Sequence, residues 1–164
     1  MSEAEVNQWD ELSQFLLFKR KLTEPIATNG SLLKGFMFAI GWRECSMKNK
    51  QFGIYGSLGR IKDTKDEWQN QGANLRLVGC ILGQSLQYVG DKLFQKMKTC
   101  YISLGAPSFD QVNYKAANQG VFEFASTFTF TMNGFTILPH VDKDALFYAS
   151  GWWFEADKRT GIIK

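Results

Sequence analysis

After Gly120 the hydrophobic period of the chain falls from roughly 3.6 residues to 2, and this switch constrains the fold more than any other feature of the sequence. Phe122, Phe124, Ser126, Phe128, Phe130 and Met132 alternate with Glu123, Ala125, Thr127, Thr129 and Thr131. Successive side chains of a strand point to opposite faces, so this run predicts a β-strand with one face in a core. Asn133-Gly134 is a turn signal that would end it. A second aromatic run, Leu146 to Ala156, reads as another strand. With 14 Phe, 5 Trp and 5 Tyr among 164 residues, the chain carries too much apolar surface to stay disordered in water. Its length is that of one domain.

Upstream of Gly120 the apolar residues follow helical spacing. Val6, Trp9, Leu16 and Leu17 place a first helix at about Asn7 to Phe18. Glu24-Pro25 and Asn29-Gly30-Ser31 mark the turn after it. Ser31 then reads as the cap of a second helix, with Leu32, Leu33, Phe36, Met37 and Ile40 on one side and an end near Lys48-Asn49-Lys50. The clearest helix runs from about Leu75 to Tyr101. Its Leu75, Val78, Leu82, Leu86, Val89, Leu93 and Met97 keep to one face. Gly79, Gly83 and Gly90 interrupt it at about 1 kcal/mol each relative to Ala, a cost that close packing would offset. A shorter helix is expected at Ser108 to Asn118. The reading is therefore α+β: a mainly helical part over 1–119, with a short strand near 51–57, and a strand-rich part over 120–164, in one domain.

The glycines of Gln51 to Arg60 match neither G-x-G-x-x-G nor the phosphate-loop pattern, so a strand entering a turn is the better reading. Cys45, Cys80 and Cys100 are odd in number and widely spaced, which suits reduced thiols rather than a disulfide framework or a CxxC ribbon. Without a basic N-terminal region and an apolar stretch after it, the first residues do not read as a secretory signal. No apolar run approaches the roughly 18 residues of a membrane span. The expectation is an intracellular protein, cytoplasmic or nuclear. Residues 17–100 hold 14 Lys/Arg against 6 Asp/Glu, a local excess of +8 in a chain of net charge +3. Nucleic acid is a candidate partner for that segment, and a solvated lysine-rich surface is the plainer account.

The one constellation with chemical promise is Pro139-His140-Val141-Asp142, in the connection between the two aromatic runs. In extended chain, side chains two apart project to the same side. An imidazole and a carboxylate placed so suit two adjacent positions of a facial-triad iron centre, which leaves room for a 2-oxo acid and dioxygen. The alternative is a turn histidine paired electrostatically with Asp142 or Asp144. Serine and cysteine nucleophilic sites would have to use the same His140, and neither a G-x-S-x-G elbow nor a cysteine signature is present.

FASTFTFTMNGFTILPHVDKDALFYASGWWF resembles the start of the catalytic core in the fungal Tet-like 2-oxoglutarate/Fe(II) oxygenase domain. GWRECSMKNKQFGIYGSLGR, GCILGQSLQYVGDKLFQKM and SFDQVNYKAANQGVFEFAS resemble the helical part that precedes it. The resemblance implies a double-stranded β-helix, Fe(II) and 2-oxoglutarate as cofactors, and a methylated nucleobase as a possible substrate class. His140 and Asp142 take the places of the metal ligands, Asn133 that of a polar wall of the cosubstrate pocket, and Asp144 that of a group orienting the turn or His140. The chain departs from the family in two respects. It has no second His to complete the triad, and two or three strands do not complete a jelly roll of about eight. The expectation is an N-terminal part of the domain, inactive by itself. The alternatives are a non-catalytic binding protein and an inactive fragment with an open sheet edge prone to self-association.

Overall fold

The computed structural model describes residues 2–27, 32–44, 52–55, 66, 72–111, 120–139 and 150–164. Its elements are two helices, α1 (Glu3–Lys19) and α2 (Gly72–Ser103), and three strands, β1 (Leu32–Glu44), β2 (Phe52–Ile54) and β3 (Thr127–Ile137). The strands form one open antiparallel sheet in the order β2-β1-β3. This is an α+β architecture, consistent with the opening strands of a jelly roll.

α1 begins where Ser2 and Glu5 cap it reciprocally. Glu5 N donates to Ser2 Oγ at 3.3 Å and Ser2 N donates to Glu5 Oε2 at 2.6 Å. Acidic Glu3 and Glu5 in the first turn and Lys19 in the last suit the helix dipole. Leu12, Phe15 and Leu16 are its buried face. α2 buries Leu75, Val78, Ile81, Leu82 and Leu86 before its midpoint and Phe94, Met97 and Tyr101 after it. Between the two sets Gly90 leaves the helical region, at φ −160° and ψ 75°. That kink rotates the stripe. Val89, expected on the buried face, is 82% exposed, and Leu93 is only partly buried. Close packing does offset the other two glycines. A Cβ on Gly79 would meet Asp110 Oδ2 at 2.5 Å, and one on Gly83 would strike the carbonyl oxygen of Phe122.

Leu32–Glu44, read from sequence as a helix, is a strand. Pairing with β3 decides this, and two features of the segment agree with it. Phe36, Phe38, Ile40 and Trp42 also alternate at period two, and Gly35 and Gly41 hold φ of 75° and 99°, outside any right-handed helix. In the sheet Phe36, Phe38 and Ile40 face Met132, Phe130 and Phe128 in register. The Phe38 and Phe130 rings stack at 5.3 Å. These strands meet the helices in one core that includes Leu12, Leu82, Phe94, Phe109 and Phe124.

β3 starts later and ends later than its alternation predicts. Ahead of β3, Ala125 O accepts from Phe109 N at 3.0 Å, and Ser126 O accepts from Trp42 N of β1 at 2.8 Å. At the far end the strand continues through Asn133-Gly134, which forms an irregularity inside the ladder instead of a stop. Both residues are left-handed, at φ 61° and 63°. The pairing steps from Phe36↔Met132 to Lys34↔Thr136 across them. The expected strand at Leu146 to Ala156 forms no ladder over its described residues, 150–156; Ala156 makes an isolated bridge to Ile163. Most of the expected helix at Ser108 to Asn118 lies outside the described residues. No described helix is long and apolar enough to cross a membrane.

Candidate functional site

β3 leads to the site. Its apolar face, Phe128, Phe130 and Met132, anchors it in the core, while Thr129 and Thr131 are exposed on the other side. The Asn133-Gly134 irregularity follows, with Asn133 exposed. Thr136 Oγ1 donates to Gly134 O at 3.1 Å, tying the loop back to the strand. β3 ends at Ile137, and Leu138 and Pro139 follow it in exposed chain. The candidate ligands His140 and Asp142, and Asp144 beside them, lie outside the described residues, as do Arg60 and Cys45. Cys80 and Cys100 are free thiols.

A hollow of about 1780 Å³ opens between β3, α1, β1 and the segment 150–164, and Asn133 and Gly134 line part of it. Its walls are mostly apolar, with Arg20, Arg43 and Lys158 as cationic side chains and Glu155 and Asp157 as carboxylates. Arg20 leaves the C-cap of α1 and reaches across to β3, where Nη1 lies 3.9 Å from Met132 Sδ. Arg43 stacks over the Tyr55 ring at 5.7 Å. Sequence reading missed both arginines. The signal for Arg20 was its place one turn beyond the buried stripe of α1; Arg43 was hidden by the reading of β1 as a helix. Segment 150–164 closes one side of the hollow. Trp152 Nε1 donates to Ser85 Oγ at 3.2 Å, Ile163 N donates to Asp10 Oδ1 at 2.7 Å, and Phe154 packs on Trp9 at 5.8 Å.

Two ionisable groups are buried elsewhere in the described structure. Lys19 is fully buried, and that burial holds its ammonium down at about 8. Asp110 is pushed up, first by burial and also by the nearby Glu123 carboxylate. Among the described residues, no group of three or more His, Cys, Asp or Glu side chains is placed to hold a metal ion.

A family model described as the Tet-like 2OG-Fe(II) oxygenase superfamily matches residues 2–164. The chain belongs to that superfamily. Searches of curated proteins and of solved structures return no match. Membership in the Tet-like superfamily implies use of Fe(II) and 2-oxoglutarate. Within this Tet-like chain the donor chemistry fits that metal at two positions, an imidazole and a carboxylate two residues apart. A third position cannot be a second imidazole of these 164 residues, since His140 is their single His.

Proposed function

We propose that this chain is an Fe(II)/2-oxoglutarate oxygenase domain in which His140 and Asp142 hold the metal. The family match over residues 2–164 carries the reading. The place of the pair, just past the end of β3 and within ten residues of the Asn133 loop, supports it. Bound there, iron and 2-oxoglutarate supply oxidation of a C–H bond by dioxygen. The chain's own residues orient and exclude. Asp144 orients the turn or His140, and Asn133 provides a polar wall for the cosubstrate. Arg20 and Arg43, with Lys158, outnumber the Glu155 and Asp157 carboxylates on the hollow's surface, and the arginines could meet an anionic ligand. The substrate class is a methylated nucleobase, which in a duplex must be flipped out of the stack. These residues hold no second imidazole to complete the triad, so iron binding by them is weaker than by a full triad.

The test is iron binding and 2-oxoglutarate consumption by the parent beside His140→Ala and Asp142→Ala. Binding by the parent that either substitution removes is the expected result. Equal binding by all three proteins would return His140 to an ordinary turn residue.

The single His also supports a second reading, a non-catalytic protein that keeps the fold to bind nucleic acid through its basic middle segment and the arginines of the hollow. Fluorescence titration with a short duplex separates the two readings. Salt-sensitive binding without any 2-oxoglutarate consumption favours the second, because release of counterions from phosphates makes affinity fall with salt.

A further inference from the structure

α1 runs out into a basic stretch, Lys19-Arg20-Lys21, and a second basic pair, Lys158-Arg159, lies near the other end of the sequence. Lys19 turns inward and is fully buried, while Arg20 is half-buried and Lys21 exposed. Lys158 and Arg159 sit in a turn that is closed on itself. Asp157 Oδ1 accepts from Arg159 N and Thr160 N at 2.9 and 2.8 Å, and Gly161 N donates to Asp157 O at 2.9 Å. The turn is also fixed against α1. Gly161 passes so close that a Cβ on it would stand 3.0 Å from Gln14 Cα, and its φ of 76° is a conformation that glycine adopts readily. Ile163 N donates to Asp10 Oδ1 of the same helix at 2.7 Å.

This docking brings the two basic stretches to one concavity. A hollow of about 450 Å³, smaller than the one beside β3, is lined by Arg20, Lys21, Lys158 and Arg159 over the apolar Leu17 and Phe18. Every charged side chain on its wall is a cation. The Asp157 carboxylate is turned to the N–H groups of its own turn and lines only the larger hollow. Glu155 is paired with Lys164 at 2.9 Å. No ion pair of Arg20, Lys158 or Arg159 is found among the described residues. The dipole of α1 accounts for Arg20 and Lys21 at its C-terminal end. It does not account for a distant turn that delivers two more cations to the same place. Like charges gathered without a counter-charge repel, and a bound anion removes that cost.

We propose that this hollow binds a phosphate group, either as the free ion or as part of a nucleic-acid strand. Guanidinium forks match phosphate oxygens two at a time, and the ammonium groups add point charge. A lone carboxylate, with one charge and two oxygens, would leave most of this set unused. Leu17, Arg20 and Lys158 line the larger hollow as well, so a phosphate held here lies at the edge of that opening. The site requires neither iron nor 2-oxoglutarate and stands apart from the reading of His140 and Asp142.

The experiment is calorimetric titration of the full chain at low salt with inorganic phosphate and, separately, with a short single strand that lacks terminal phosphates. The proteins are the parent, Arg159→Gln, Lys158→Gln and Lys92→Gln, each checked for folding by circular dichroism. Lys92 is an exposed residue of α2, so its variant removes the same charge at a distance from the hollow. The parent is expected to bind, with Arg159→Gln and Lys158→Gln each weakening binding about tenfold and Lys92→Gln leaving it unchanged. Strand binding that is tighter than phosphate binding and falls in the same two variants assigns the strand as the source. Phosphate binding without strand binding assigns the free ion. A parent that binds neither probe overturns the proposal, as does binding that Lys92→Gln weakens as much as Arg159→Gln does, since diffuse attraction then suffices.

Discussion

At the residue scale, Lys19 is the clearest case of an environment that overrides side-chain chemistry. Its aliphatic stem continues the Leu12–Leu16 stripe of α1, and the ammonium is carried inside with it. Burial disfavours the charged form, so its folded-state value of about 8 lies well below the ordinary 10.5. Below pH 8 both folded and unfolded chains hold the proton, and the penalty is felt in full. Between pH 8 and 10.5 the unfolded chain binds more protons, so stability rises with pH across that window. The gain is up to about 3 kcal/mol. Urea unfolding at pH 7.5 and pH 10 should show the parent gaining on Lys19→Met; a constant difference between them would mean that Lys19 titrates normally. The Phe38–Phe130 stack makes a second residue-level prediction. Either Phe→Ala change should cost about 3–5 kcal/mol. The double-mutant cycle should return a coupling of about 0.5–1.5 kcal/mol, since the two rings contact each other directly.

At the element scale, α2 is held by what its glycines permit. Gly83→Ala gains about 1 kcal/mol of helix propensity. It also drives a methyl group into the Phe122 backbone, which has no flexible side chain to yield. The collision outweighs the gain, and net destabilisation of about 1–3 kcal/mol is expected in chemical denaturation. Val89→Ala, only six residues on, should change stability by less than about 0.5 kcal/mol because the kink at Gly90 leaves Val89 in solvent. Equal effects of the two changes would contradict the packing of α2 described above. The same comparison marks how far the elements were legible. α1, α2 and the Phe128–Met132 stretch of β3 carry periods that fit a single structure. The apolar residues of Leu32–Glu44 fit both a helix and a strand, and only the ladder with β3 selects between them. The Asn133-Gly134 pair was legible as left-handed backbone. Its role as an irregularity within a strand depended on Lys34 and Thr136 pairing beyond it.

At the scale of the whole molecule, segment 150–164 binds the helices and the sheet together. Trp152 reaches Ser85 on α2 and Phe124 ahead of β3, Phe154 reaches Trp9, and Ile163 reaches Asp10. Asp157 organises the turn that returns the chain, accepting from Arg159 N and Thr160 N at 2.9 and 2.8 Å. Trp152→Ala removes the aromatic anchor and its hydrogen bond at once. It should expose this segment to limited proteolysis well before the rest of the chain, because local opening then needs less than global unfolding. Cleavage of parent and variant at the same rate would show that the remaining contacts suffice. This closing wall of the hollow was not legible in sequence, where 146–156 reads as a strand. Trp152 and Phe154 are used for docking on helices, a choice that depends on surfaces far away in the chain.

The sequence by itself determined the α+β class, the two helices, the strand that leads to the site and the His-x-Asp pair that follows it. Those features are local, since period, capping and residue chemistry act within a few positions. Only the tertiary structure decided that Leu32–Glu44 is the central strand, that Gly90 rotates the buried face of α2, and that Arg20 and Arg43 share a hollow with Asn133. Each of these depends on pairing or burial against residues distant in the chain, and a sheet ladder or a desolvated charge has no counterpart in the local pattern.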